Sequence, residues 1–239
     1  MKKTLFFATA LGLFLSQAEA QEISIPQIGV QAPEFTAQST KGMINFPSDY
    51  GKSWKILFSH PKDFTPVCSS ELLELSHAQG SFEKLNTNLV VVSTDILEQH
   101  KSWVAALEET RYLDREPVAI DFPLVADNDL KVSSLYGMVH SVSSVSQNIR
   151  GVYIVSPENI IKSIQFYPNE VGRNIEEIKR TLVALQNNHE NPEQVTPANW
   201  QSGDDVIIPA LSAEEKKKIG TQDSEYYQVN WFMVFKSVD

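Results

Sequence analysis

The chain contains a single cysteine, Cys68, at the end of the run Pro61-Lys62-Asp63-Phe64-Thr65-Pro66-Val67-Cys68. A lone thiol cannot close a disulfide within its own chain, so it is either an inert buried side chain or a nucleophile. Thr65 is a favourable helix N-cap, and Pro66 suits the first helical position, where its missing N–H costs nothing. That register puts Cys68 at the third helical position, ahead of the amphipathic stretch from Ser69 to Ala78. Free backbone N–H groups and the positive end of the helix dipole lie there, and both favour an anion. A thiolate is such an anion and is the nucleophilic form of cysteine. On the thiol alone both readings stay open, because unpaired cysteines are commonly small buried hydrophobes.

The elements that must position this thiol follow from hydrophobic patterning. Trp54 to Ser59 reads as a buried strand running directly into the Pro61–Thr65 loop. Leu89 to Thr94 is rich in β-branched residues and reads as a central strand. A helix is predicted from Leu97 to Thr110, a strand over 122–125, and a helix from Asp127 to Tyr136 stopped by Gly137. Residues 151–155 and 160–166 flank the turn signal Ser156-Pro157-Glu158-Asn159 and predict a β-hairpin. Asn174 to Gln186 carries Ile175, Ile178, Leu182 and Leu185 at helical spacing. Alternating strands and helices, then a hairpin and a closing helix, predict an α/β domain with a mixed sheet and a thioredoxin-like layout. A polar, turn-rich stretch near 187 then separates a small α+β unit. In it, Val206 to Ile208 and Tyr226 to Phe235 read as strands and Ala213 to Ile219 as a helix. The expected division is 1–20 as a leader, 26–187 as the main domain and 188–239 as the C-terminal domain. So small a unit is expected to pack on the main domain or on a second subunit.

The leader has a charged start at Lys2-Lys3 and an apolar core from Leu5 to Leu15. It ends in Ala18-Glu19-Ala20, small residues at the two positions a signal peptidase reads. Cleavage before Gln21 and export to a periplasm or the medium are expected. No other segment is apolar for long enough to span a bilayer. The full chain has 20 Lys and Arg against 30 Asp and Glu, a formal charge of −10, and loss of Lys2, Lys3 and Glu19 makes it −11. Such a chain repels phosphate backbones, which argues against nucleic-acid binding.

The spacing Pro61, Thr65, Cys68 resembles the peroxiredoxin signature of Pro, three residues, Thr or Ser, two residues, Cys. The longer run Leu57 to Cys68 is similar to the 1-Cys subfamily. The resemblance continues in order through Phe122 to Asp127, Arg150 to Ile154, Tyr167-Pro168, Gly172-Arg173-Asn174, Ala198-Asn199-Trp200 and Gly203 to Val206. It implies a thiol-dependent peroxidase acting on hydrogen peroxide and organic hydroperoxides, with no metal, haem or flavin. Cys68 matches the attacking cysteine, Thr65 the hydroxyl that holds thiolate and peroxide, and Arg150 the arginine that pairs with the thiolate. Pro61 matches the proline that shields the sulfur. His60, Glu71 and Arg173 match a histidine beside the active-site loop, an acid that orients the arginine, and a second arginine near the pocket. A homodimer or larger ring is implied, with the C-terminal domain reaching toward the partner's active site.

The departures from the family carry information too. With no second cysteine, the sulfenic acid formed at Cys68 must be reduced by an external thiol or be oxidised further. A lipase site of serine, histidine and aspartate found in the mammalian relative is incomplete here. Ser53 keeps the serine, but Pro47 and Glu158 stand at the other two positions, so no base is left to activate it. An export leader is unusual for a family that is mostly cytosolic.

Overall fold

The computed structural model describes residues 25–221 and 224–238; the proposed leader over 1–20 lies outside them. Its first half contains strands β1 (Phe35–Ser39), β2 (Gly42–Phe46) and β3 (Trp54–Ser59), helix α1 (Pro66–Lys84), strand β4 (Thr87–Ser93) and helix α2 (Leu97–Leu107). Strand β5 (Leu124–Ala126), helix α3 (Lys131–Leu135), strands β6 (Arg150–Val155) and β7 (Ile161–Tyr167) and helix α4 (Ile175–Glu190) complete the main unit. The sheet order is β2-β1-β5-β4-β3-β6-β7. Strand β3 lies parallel to β4 and antiparallel to β6, so the sheet is mixed, as strand–helix alternation followed by a hairpin predicts.

The central strands are apolar on both faces because both faces are covered. Ile56, Phe58, Leu89, Val91, Val152 and Ile154 point into one layer with Leu72, Leu75 and Phe82 of α1, Trp103 of α2, and Ile178 and Leu182 of α4. Leu57, Val90, Val92, Tyr153 and Val155 point into the other, against Ile44 and Phe46 of β2, Val132 of α3, and Tyr136. Each strand thus alternates between two cores with the period of the pleat. Truncating one such fully buried leucine or isoleucine to alanine costs about 2–5 kcal/mol.

Several boundaries differ from the sequence expectation for identifiable reasons. Helix α3 begins at Lys131 rather than Asp127, because the Asp127 carboxylate is spent accepting the backbone N–H groups of Val132 and Ser133 at 2.9 and 2.7 Å. Gly137 does stop that segment: its φ is +59°, and an added Cβ would lie 2.6 Å from Ile25 Cγ1. Helix α4 starts as predicted, with Asn174 as N-cap accepting from the Glu177 N–H, but runs on to Glu190. Helix α2 ends at Leu107, three residues short of Thr110, and β5 occupies 124–126 instead of 122–125.

The remaining elements are β8 (Val206–Ile207), α5 (Ala213–Lys218), β9 (Tyr226–Asn230) and β10 (Met233–Lys236). The Tyr226–Phe235 run, read from sequence as one strand, is a hairpin that turns at Trp231-Phe232. It forms a three-stranded sheet in the order β8-β10-β9. This sheet packs Trp200, Val206, Ile208 and Tyr226 around Ala184 of α4, so the small unit borrows a helix face of the main unit for its core. Among the described residues, no helix is long and apolar enough to cross a membrane.

Candidate active site

Cys68 lies where its sequence places it, at the third position of α1, with Thr65 as N-cap in extended conformation and Pro66 at the helix start. The helix begins at the C-terminal end of β3, so the sulfur faces the next strand, β6. Cys68 has no solvent exposure. Arg150, the first residue of β6, brings its Nη1 to 3.2 Å from the sulfur. The two residues are 82 positions apart, and the antiparallel pairing of β3 with β6 joins them.

The charges around the sulfur form a closed set. Glu71 lies one helical turn beyond Cys68 and is buried. It accepts from Arg150 Nη1 at 2.7 Å, and from the backbone N–H, Nε and Nη2 of Arg173, each at 2.8 Å. Arg173 Nη1 donates to the carbonyls of Ser59 and Gly151, both at 2.9 Å, and its guanidinium lies 5.2 Å from the centroid of the Phe58 ring. Arg150 Nε and Nη2 grip the Asn169 carbonyl at 3.2 and 2.7 Å. Burial alone would raise the Glu71 pKa, but the hydrogen bonds and charge of Arg173, joined by the Arg150 charge, hold its carboxyl below the usual range. Two guanidiniums against one carboxylate leave one positive charge uncompensated beside the sulfur. An anionic sulfur completes the cluster, and the start of α1 adds its dipole in the same sense. Neither Glu71 nor Arg173 is the solvated surface charge its residue type suggests.

Ser59 holds the two strand ends in register. Its hydroxyl donates to the Ile149 carbonyl at 2.7 Å and accepts the Gly151 N–H at 2.8 Å, bracketing Arg150. A Cβ at Gly151 would stand 2.9 Å from that hydroxyl and 3.1 Å from the Phe166 ring, so the glycine is required by close approach.

Pro61 is buried in the turn from β3 to α1. Thr65 sits half-exposed at the mouth; it occupies the N-cap position, but its hydroxyl makes no capping bond and donates to the Lys62 carbonyl at 2.8 Å. His60 is fully buried. Its Nε2 is 2.8 Å from Asp63 Oδ1, and the other oxygen of that carboxylate is 2.7 Å from His100 Nδ1. Asp63 and His100 are the residues that sequence reasoning missed. Asp63 lies inside the signature run and was the available signal, but its partner comes from α2, 37 residues away. His60, Asp63 and Asp95 bring ligand-type atoms within 4.8 Å of one another. Those atoms are already engaged: Asp95 Oδ2 accepts from the Asp63 N–H and from Ser93, and Asp63 is taken by the two imidazoles. The cluster is a hydrogen-bond network.

Residues 28–164 match the AhpC/TSA family model, and residues 184–222 match the model for the C-terminal domain of 1-Cys peroxiredoxin. The chain belongs to the peroxiredoxin family. A peroxiredoxin of Methanosarcina mazei is 43% identical over 215 residues, covering 89% of this chain and 98% of that one. A 1-Cys peroxiredoxin of Dictyostelium discoideum is 37% identical over 194 residues, covering 81% of this chain and 78% of that one. Among solved structures, a yeast mitochondrial 1-Cys peroxiredoxin superposes with a TM-score of 0.78 at 34% identity, covering 89% of this chain and 99% of the other. The thioredoxin-like fold and the thiol-dependent peroxidase activity expected from the sequence therefore stand. This peroxiredoxin has one cysteine, so the sulfenic acid formed on it is resolved by an external thiol.

The lipase site stays incomplete in three dimensions. Ser53 donates to Asn86 Oδ1 at 2.9 Å, and Glu158 accepts from Ser156 at 2.8 Å with His189 at 3.6 Å.

Proposed function

We propose that Cys68, Thr65, Arg150 and Pro61 are the catalytic set of this peroxidase, supported by His60, Glu71 and Arg173. The 3.2 Å contact between Arg150 Nη1 and Cys68 Sγ carries the assignment. The thiolate attacks the terminal oxygen of the hydroperoxide, an S–O bond forms as the O–O bond breaks, and the departing alkoxide or hydroxide takes a proton. Negative charge moves from sulfur to the leaving oxygen during this step. A fixed guanidinium spans both positions without reorganising, which is how preorganised donors lower such barriers. Pro61 keeps bulk water from the sulfur, and the Thr65 hydroxyl, by rotating from Lys62, holds the peroxide at the mouth.

The second half of the cycle needs a thiol from outside. The yeast relative is described as resolved through glutathione and thioredoxin systems, and a small thiol or a thioredoxin-like protein is the reductant class we assign here. We further propose a homodimer or larger ring in which the C-terminal unit reaches toward its partner. The exposed Trp231 and Phe232 at the β9–β10 turn support that arrangement, because side chains this large and apolar are seldom left to solvent. The leader over 1–20 supports export, to a periplasm or the medium.

Stopped-flow oxidation by hydrogen peroxide, with turnover in added thiol, tests the catalytic assignment. Arg150→Met should oxidise at least about 100-fold more slowly than the natural chain. Oxidation of that variant at the natural rate would contradict it. Sedimentation analysis tests the assembly, and processing of the exported chain before Gln21 tests the leader.

A further inference from the structure

Cys68 is fully buried, yet its sulfenic acid must be met by a sulfur from another molecule. What that molecule touches is the first turn of α1 and the two flanks beside it. Phe64 stands on one flank. Its ring lies 6.3 Å from the Trp103 ring of α2 between centroids, and the Trp103 indole N–H reaches the hydroxyl of Ser69, the residue after Cys68, at 3.3 Å. The loop from β7 to α4 makes the other flank. Its Asn169 carbonyl holds Arg150, the Arg173 N–H is held by Glu71, and a Cβ on Gly172 would stand 3.4 Å from Val67 Cγ1. Val171 is thereby set beside Val67, the residue before Cys68. Between the flanks, at the helix start, Pro66 is exposed.

Both flanks leave apolar side chains in water. Phe64 is 56% exposed and Val171 49%. Phe64 also has a φ of +56°, where a bulky residue is a genuine outlier and glycine would sit without strain. One residue, four positions before the nucleophile, thus carries both backbone strain and an exposed aromatic ring. Strain is retained at clamps and contact sites, and exposed apolar groups that cluster mark surfaces meant to be covered. The exposed charged residues within these segments, Lys62 and Glu170, have opposite signs. Glutathione, a small thiol with two carboxylates and one ammonium, finds no matching set of charges there. A protein whose thiol sits on an apolar surface finds a complementary one.

We propose that Phe64, Pro66 and Val171 form the docking surface for a dithiol reductant protein of the thioredoxin-like class, which lays the apolar rim of its own thiol across the first turn of α1. This rests on the peroxidase reading and names the reductant class that the surface selects. The partner's thiolate attacks the Cys68 sulfur, an S–S bond forms as the S–O bond breaks, and the hydroxide takes a proton and leaves as water. The partner's second thiolate then attacks the partner's own sulfur, which closes the partner's disulfide and releases Cys68 as thiolate. The partner loses two electrons and Cys68 regains them.

The test follows reduction of the peroxide-oxidised full chain by thioredoxin, kept reduced by its reductase and NADPH, and in parallel by glutathione, which needs no docking. Phe64→Gly removes the ring and suits the backbone; Val171→Ser removes the apolar group opposite. The double variant should be reduced by thioredoxin at least about tenfold more slowly than the natural chain, the worth of a contact at the centre of an interface. Its oxidation by hydrogen peroxide and its reduction by glutathione should stay within about threefold. An unchanged rate with thioredoxin overturns the proposal, whether or not sedimentation shows the double variant in a smaller assembly, and so does equal slowing with both thiols. The natural chain supplies a second measurement even if no variant folds. Captured as a mixed disulfide with a thioredoxin lacking its second cysteine, it should exchange the amide hydrogens of residues 64, 65, 67 and 170–172 at least about tenfold more slowly than its glutathione adduct does. Equal exchange in the two adducts overturns the proposal, as does a natural chain that glutathione reduces and thioredoxin does not. A natural chain that peroxide does not oxidise at all removes the peroxidase reading instead.

Discussion

Arg150 Nη1 donates to Cys68 Sγ at 3.2 Å and to Glu71 Oε2 at 2.7 Å, so one guanidinium edge joins the nucleophile to the carboxylate one helical turn away. The same guanidinium is anchored from its other side by the Asn169 carbonyl. Arg150 is thus held by two fixed acceptors while it addresses the sulfur, and its position does not depend on substrate.

That fork geometry makes lysine a poor substitute. Arg150→Lys keeps the charge but cannot contact the sulfur, Glu71 and Asn169 together. The expected result is a fall of about 100-fold in the rate constant for oxidation by hydrogen peroxide, measured by stopped-flow fluorescence. A change smaller than about threefold would show that charge alone suffices.

Among the described residues, Glu71 is the only carboxylate bonded to the two buried guanidiniums. Glu71→Gln leaves both without a counter-charge, and breaking a buried pair in this way costs about 3–5 kcal/mol. Urea unfolding should show a loss of stability of that size, read as a lower midpoint at an unchanged slope. Full stability in the variant would mean that Arg150 and Arg173 find other partners.

Gly151 stands where a methyl group meets the Ser59 hydroxyl and the Phe166 ring. Gly151→Ala should destabilise the fold by about 1–3 kcal/mol through overpacking. Because Ser59 brackets Arg150, peroxidase activity should fall as well. Activity retained at reduced stability would separate the strand register from the guanidinium position.

Stability should decline with acid in two stages. A group whose folded pKa lies below its unfolded value binds more protons when unfolded, so the stability it supports falls as pH falls. Burial puts His60 in this class, which opens the first stage as pH drops below its ordinary value of 6.5. Glu71, held low by its arginines against the opposing effect of burial, opens the second below its ordinary value of 4.5. Asp63, held low by its two imidazoles in the same way, follows below 3.8. Urea midpoints across that pH range measure this, and a midpoint that rises between pH 6.5 and 4.5 would reverse the sign.

Local signals made part of this site legible in the sequence. Thr65-Pro66 fixes the start of α1 and hence the position of Cys68, the β-branched run after Leu89 gives a central strand, and Ser156 to Asn159 gives the hairpin that carries Arg150. The pairing of β1 with β2 went unread, because Phe35-Thr36-Ala37 and Met43-Ile44-Asn45 are short and weakly alternating, and their order in the sheet depends on β5. The turn at Trp231-Phe232 carries no glycine or proline, so β9 and β10 looked continuous; there the Asn230 side chain accepts the Trp231 N–H and helps close the turn. The roles of Glu71 and Arg173 entered only through family resemblance, since burial of three charges together is a tertiary fact. His100 carried no signal of any kind, because Asp63 reaches it only after α2 packs on the sheet.

The most direct measurement is mass spectrometry of Cys68 in the purified chain after rapid mixing with hydrogen peroxide, before and after addition of glutathione. The expected result is a gain of one oxygen on Cys68, then a mixed disulfide, then the free thiol, with Cys68→Ser consuming no peroxide. Peroxide consumption by Cys68→Ser at the natural rate would contradict the assignment of the chemistry to this one sulfur.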